Sequence, residues 1–177
     1  MLALPLVFHQ RLLILMSKSL VLLFFLLLCS PALLAQNVNL DNYDVYMGDT
    51  LISKTDFLNK SKSLSGERMK QLKFRPISDG QKKYYYLNGQ VYSEGEIRNK
   101  KENGFWTYWH ENGQKAREGS FEQGKRTGTH TYWYPNGNLR GVGNFKDDKY
   151  DGKWTMYNEE GVKVEEQVYR NGELVKE

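Results

Sequence analysis

The sequence predicts an all-β fold of tandem hairpins, and three observations carry that expectation. Glycines recur every 24 residues, at Gly80, Gly104, Gly128 and Gly152 and again at Gly89, Gly113, Gly137 and Gly161. Apolar positions keep the same step: Tyr84, Tyr108, Tyr132 and Met156 form one column, Tyr85, Trp109, Trp133 and Tyr157 a second, and Ile97, Phe121, Phe145 and Tyr169 a third. Asn88-Gly89, Asn112-Gly113 and Asn136-Gly137 each follow an aromatic run, and such pairs tolerate the positive φ of a tight hairpin turn. A fixed period of this length marks a repeat array, in which stability accumulates through contacts between neighbouring units. The expected architecture is an elongated antiparallel sheet of 24-residue β-hairpins preceded by a helical signal peptide.

Residues 1–35 read as that signal peptide. No charged residue occurs from Ser19 to Gln36, and Leu20 to Leu28 is unbroken apolar sequence directly after Lys18, a short basic region followed by a hydrophobic one. Met16 is the expected true start, and small residues place cleavage after Ala32 or Ala35. The mature protein is then secreted or periplasmic. A membrane anchor is disfavoured because the apolar stretch is shorter than the roughly 20 residues a bilayer requires. Bulky Leu28 before Cys29 argues against a lipoprotein.

Residues 36–80 form a capping segment, readable also as a degenerate repeat because Gly66 and Phe74 lie close to the repeat register. Tyr43 to Tyr46 and Gly48 to Ile52 predict a hairpin, Ser61 to Ser65 a polar loop, and Glu67 to Leu72 a short helix. Residues 81–177 then hold four hairpins. Their first strands are typified by Trp106 to His110 and Lys153 to Asn158, and their second strands by Lys115 to Phe121 and Lys163 to Tyr169. A longer loop such as Glu122 to Gly128 is expected between hairpins, with Pro135 in a turn. Alternation along a strand puts Trp106, Tyr108 and His110 on one face and Thr107 and Trp109 on the other. Both faces would carry stacked rings, each pair adding about 0.5–1.5 kcal/mol beyond burial. A third glycine series, Gly95, Gly119 and Gly143, lapses to Gln167.

Phe121-Glu122-Gln123-Gly124-Lys125-Arg126-Thr127-Gly128, followed by Tyr132 and Asn136-Gly137, resembles the MORN repeat, and the Trp154-Thr155-Met156-Tyr157 unit is similar to its bacterial variant. Some members of that variant carry a toxin–antitoxin label. The resemblance covers about residues 81–177 and implies tandem hairpins in one curved, elongated sheet. It implies scaffolding, membrane-associating or accessory roles rather than one function. Asp148 departs from the pattern where Gly124 and Gly172 stand, and His130 where Trp106 and Trp154 stand.

Little in the sequence points to catalysis. Of three histidines, His9 lies in the leader with the single cysteine, Cys29, and His110 and His130 fall in different repeat columns. No shared metal site or catalytic pair follows, and both histidines read as surface residues or aromatic-column substitutes. Nucleophile elbows and phosphate-binding glycine loops are absent. Glu94, Glu118 and Glu166 share a column, interrupted by Val142, and read as a solvated face rather than the acid and base of a glycosidase.

The net charge of +4 is split. Residues 50–83 carry nine basic against three acidic side chains, and residues 147–177 five against nine. That density is too dilute for nucleic-acid binding. The Tyr85, Trp109, Trp133 and Tyr157 column is the candidate binding stripe, suited to another protein, a glycan or a membrane surface. The expected function is a non-catalytic interaction module without cofactor or metal; an antitoxin acting by binding and a membrane-surface or glycan binder are the alternatives.

Overall fold

A computed structural model describes residues 40–175; the leader, its start and its cleavage sites lie outside the described residues. The described residues open on a 3₁₀ turn, Leu40–Asn42, then form β1 (Tyr43–Met47) and β2 (Thr50–Ile52), joined through Gly48 at φ +63°. Two short helices follow, α1 (Lys54–Lys60) and α2 (Gly66–Lys70), separated by a 3₁₀ turn over Ser61–Ser63, and β3 (Leu72–Pro76) completes the segment. Helix α1 was not foreseen. Its start is set by Ser53, whose hydroxyl accepts from the Asp56 amide at 3.3 Å, as Ser65 accepts from the Arg68 amide at 3.4 Å in α2.

Four hairpins come next: β4 (Gly80–Tyr85) with β5 (Val91–Arg98), β6 (Lys101–Trp109) with β7 (Lys115–Glu122), β8 (Lys125–Trp133) with β9 (Leu139–Lys146), and β10 (Lys149–Tyr157) with β11 (Lys163–Arg170). A last strand, β12 (Glu173–Leu174), pairs with the end of β11. All twelve strands form one sheet in the order β12 through β4, then β2, β1 and β3. The sheet is antiparallel except at one junction, where β2 runs parallel to β4 with Ile52 beside Tyr85.

The expected long loop between hairpins is a short turn. Glu122 pairs directly with Lys125, and Gln123 and Gly124 make the bend at φ +51° and +83°. Asn99-Lys100, Asp147-Asp148 and Asn171-Gly172 repeat that pattern of two positive angles, which matches the right-handed twist of paired strands. Gly128, where the loop was expected to end, lies inside β8. Gly119 faces His130 while Ser120 faces Thr127, so Gly128 and Thr129 are two extra residues forming a bulge. Gly152 and Lys153 repeat it against β9.

The turns that were foreseen use their residues differently. At Gly89, Gly113 and Gly137 only the glycine takes positive φ, between +84° and +89°. The preceding asparagines act through side chains: Asn88, Asn112 and Asn136 Oδ1 accept from the amides of Gln90, Gln114 and Asn138 at 2.9–3.0 Å.

The core is in two parts. Val45, Ile52 and Leu72 form one cluster with Phe57 of α1, against which Tyr85 and Leu87 pack. Ile97, Trp106, Tyr108 and Phe121 form the other, within the repeats.

Candidate binding face

Register assigns every side chain to a face. Tyr84, Ser93, Tyr108, Arg117, Tyr132, Gly141, Met156 and Glu165 form one continuous cross-strand row, and Lys83, Glu94, Thr107, Glu118, Thr131, Val142, Thr155 and Glu166 form the row on the opposite side. The first row marks a packed face, the second an open one.

On the packed face the third glycine series acquires a purpose. Trp106, His130 and Trp154 lie flat over Gly95, Gly119 and Gly143, so closely that a β-carbon on any of these glycines would sit 2.2–2.3 Å from a ring atom. Each ring is anchored at its edge: Trp106 Nε1 donates to Glu96 O at 3.1 Å, Trp154 Nε1 to Asn144 O at 3.0 Å, and His130 Nε2 lies 2.9 Å from Ser120 O. His130 thus fills a tryptophan's place with the same bond, and burial pushes its pKa below the ordinary value.

Buried polar groups on this face are paired with one another. Tyr84 donates to Asp44 at 3.3 Å, and Lys82 reaches the same carboxylate at 3.1 Å. One repeat on, Tyr108 donates to Glu102 while the Arg117 guanidinium lies 3.8 Å from the Tyr108 ring centroid. Burial raises the pKa of Glu102, and Tyr108, which donates to it, is itself buried. Sequence reading missed this carboxylate; its only signal was acidity beside a glycine-aromatic run. Further along, Gly141 stands where Arg117 stands one repeat earlier, leaving a cleft of about 560 Å³ lined by Tyr132, Arg140, Trp154 and Tyr169.

The predicted stripe lies on the open face, since Trp109 and Trp133 follow Thr107 and Thr131 by two residues. Tyr85, Trp109, Trp133 and Tyr157 are all partly exposed. Among the described residues none of the four touches another ring; the ring contacts belong to the packed face and the cap. The expected stacking on both faces therefore occurs on one only. Two strands separate successive members, and strand spacing puts them roughly 10 Å apart, too far for rings to meet. Tyr85 is covered by the helical cluster, whereas Trp133 meets the Lys115 ammonium 5.1 Å from its centroid.

The stripe is held by its backbone. Tyr86 Oη donates to Trp109 O at 2.7 Å, Tyr134 Oη to Tyr157 O at 2.9 Å, and His110 Nε2 lies 3.0 Å from Trp133 O. His110 therefore positions a stripe member, as its tyrosine counterparts do, and it is far in the repeat from His130. Burial pushes the Tyr86 phenol up to about 12.

Charges flanking the stripe cancel locally. Glu94 pairs with Lys83 at 2.8 Å, Glu118 with Lys115 at 2.7 Å, and Glu166 with both Lys153 and Lys163. The two lysines hold the Glu166 carboxyl below its usual range, the reverse of what a proton donor needs. Among the described residues no group of His, Cys, Asp or Glu is arranged to hold a metal, and no helix is long and apolar enough to cross a membrane.

A family model described as "MORN repeat variant" matches residues 78–99, 102–123, 126–147 and 150–177. Each matched segment spans one hairpin. No match was found among curated proteins.

Proposed function

The chain belongs to the MORN repeat variant family, a family of repeat proteins that often serve as binding modules, and from that premise we propose that it is an exported, envelope-associated interaction module that binds another protein without catalysing a reaction. The observation that carries this reading is the file of Trp109, Trp133 and Tyr157. They lie partly exposed on one face without ring neighbours, while every other large aromatic column is packed. Tyr85 shows how such a ring is used when covered, since the chain's own cap packs against it. Aromatic side chains in a file, among charges already neutralised, supply large contact area at low desolvation cost. The apolar leader supports export.

The test compares the chain with its Trp109→Ala/Trp133→Ala double variant in a crosslinking pull-down from envelope extract, alongside thermal melting. Loss of a specific captured protein with the melting temperature nearly unchanged supports the proposal. Unfolding of the double variant contradicts it, because the rings would then be part of the scaffold. Retention on an insoluble cell-wall glycan or on anionic vesicles, with no protein captured, would assign the face to a different partner class.

A further inference from the structure

We propose that the cleft across β8 to β11 on the packed face is a second binding site, which takes an acidic side chain of a partner protein, its carboxylate received by Arg140 and the Tyr132 hydroxyl. This site lies on the face opposite the stripe and does not rest on it.

The repeats show which group the cleft is built for. In the first, Tyr84 donates to the buried Asp44 carboxylate at 3.3 Å and Lys82 neutralises it at 3.1 Å. In the second, Tyr108 donates to Glu102, with the Arg117 guanidinium 3.8 Å from the ring centroid. Each of these column tyrosines comes with a carboxylate and a cation. The acid need not belong to the repeat it serves, since Asp44 is supplied by β1. In the third repeat the tyrosine and the cations are kept and the acid is replaced. Arg126 stands beside Tyr132 in the position of Glu102, and a guanidinium can only donate. Arg117 gives way to Gly141, and Ala116, at the bulge before it, to Arg140. The cation is thereby moved one residue along the strand, to 5.6 Å from the Tyr132 ring centroid. Beside it lies the cleft of about 560 Å³, lined by Tyr150, Met156, Tyr169 and the buried Trp154.

Charge selects the occupant. Arg126 is already held by Asp148, whose carboxylate accepts from its Nε at 2.7 Å. Arg140 is exposed and makes no ion pair among the described residues. Glu165, at the β11 wall, accepts from Gln167 and repels an anion there, so an incoming carboxylate is directed to the Arg140 side. A guanidinium and a tyrosine hydroxyl donating to one carboxylate reproduce the set that Asp44 and Glu102 complete within the chain, and charge-assisted bonds of this kind are the strong ones. The surrounding rings favour an apolar residue next to the acid. Tyr150 and Val164 leave the rim exposed, so a partner segment can lie across it and lower one acidic side chain and its neighbour into a cleft of ordinary ligand-site size.

Two blocked peptides titrated into the full chain test this by calorimetry and amide NMR: acetyl-Ala-Phe-Glu-Leu-Ala-amide, and the same peptide with glutamine for glutamate. At low salt the glutamate peptide should bind about tenfold more tightly and shift the amides of β8 to β10. Arg140→Gln, at an exposed position, should keep the melting temperature and erase that preference. Gly141→Arg, which returns the preceding repeat's side chain to its place, should block both peptides. Lys62→Gln, an equal loss of charge at an exposed position of the cap, should leave both affinities as they were. Equal affinity for the two peptides overturns the proposal, as does a preference that survives Arg140→Gln or falls equally with Lys62→Gln. Failure of both peptides to bind at millimolar concentration overturns it too, and inorganic phosphate shifting the same amides in their stead would assign the cleft to another class of anion.

Discussion

At one end of the sheet Val45 and Ile52 lie at 0 and 3 % exposure, packed with Phe57 of helix α1 at 3 %; at the other, Val164, Val168 and Leu174 remain 60, 47 and 46 % exposed. Between these ends the same hairpin is laid down four times. A hairpin that buries its rings against the next hairpin leaves one unit with no neighbour at each end of the array. At the β4 end this chain supplies a neighbour of different construction: Asp56 accepts from the Leu87 amide at 2.6 Å, the Ser53 amide donates to Tyr85 O at 2.8 Å, and Tyr85 itself packs on the cap. At the β11 end the described residues supply only the two-residue strand β12. Stability should therefore be graded along the array, greatest where cap and first hairpin meet.

The sharpest way to break this comparison is to delete apolar mass at each end. Phe57→Ala should cost about 3–5 kcal/mol and Val168→Ala under about 0.5 kcal/mol, read from urea midpoints; equal losses would remove the distinction between the ends. Next comes the packed face between them. Gly119→Ala drives a β-carbon into the His130 ring and should cost about 1–3 kcal/mol, whereas alanine at Gly161, a turn glycine with open space around it, meets only the penalty of its left-handed angle. A smaller contrast lies within one strand. Gly128→Val forces a branched side chain to φ +67° at a cost of about 1–2 kcal/mol, against a few tenths for exposed Lys125→Ala; indistinguishable melting temperatures would refute the bulge.

The smallest expected effect is one of pH. His130 is buried, and that burial holds its pKa below the ordinary imidazole value. Its folded state resists protonation, so its stability contribution is complete above pH 6.5 and declines as pH falls from there toward the lowered folded value, where the unfolded chain binds the proton and the folded one does not. Melting temperature should fall between pH 7 and 5 in the parent. His130→Trp, which restores the ring found at Trp106 and Trp154, should flatten that slope; an unchanged slope would place the titration elsewhere.

Much of this fold was legible because period, aromatic columns and turn glycines are local signals repeated four times. The hairpins over 81–177 follow from them; the β1–β2 hairpin and the helix near Glu67 were read from local patterning alone. What escaped is what depends on contacts across strands. Gly95, Gly119 and Gly143 were visible as a series, but only the ring lying over each explains it. Gly128 looked like a loop residue because a bulge and a turn both ask glycine for positive φ. Asp148 takes φ +67° in a turn where glycine stands in two others, and its reason is Arg126, whose Nε donates to its carboxylate at 2.7 Å. Helix α1 had a legible cap in Ser53 and Asp56, yet its seven residues carry too short an apolar pattern to outweigh the strands around them. For the stripe, alternation along the strand set Trp109 apart from Trp106 and Tyr108; the absence of ring partners among the described residues required the register.

Native-state hydrogen exchange in dilute solution, resolved strand by strand, tests the central claim most directly. Amides of β1 and of β4 to β6 should open only with large free energies, and protection should fall through β8 and β9 to a minimum in β10 and β11. Uniform protection across all hairpins, or a minimum at the capped end, would contradict a sheet whose stability is propagated from one end.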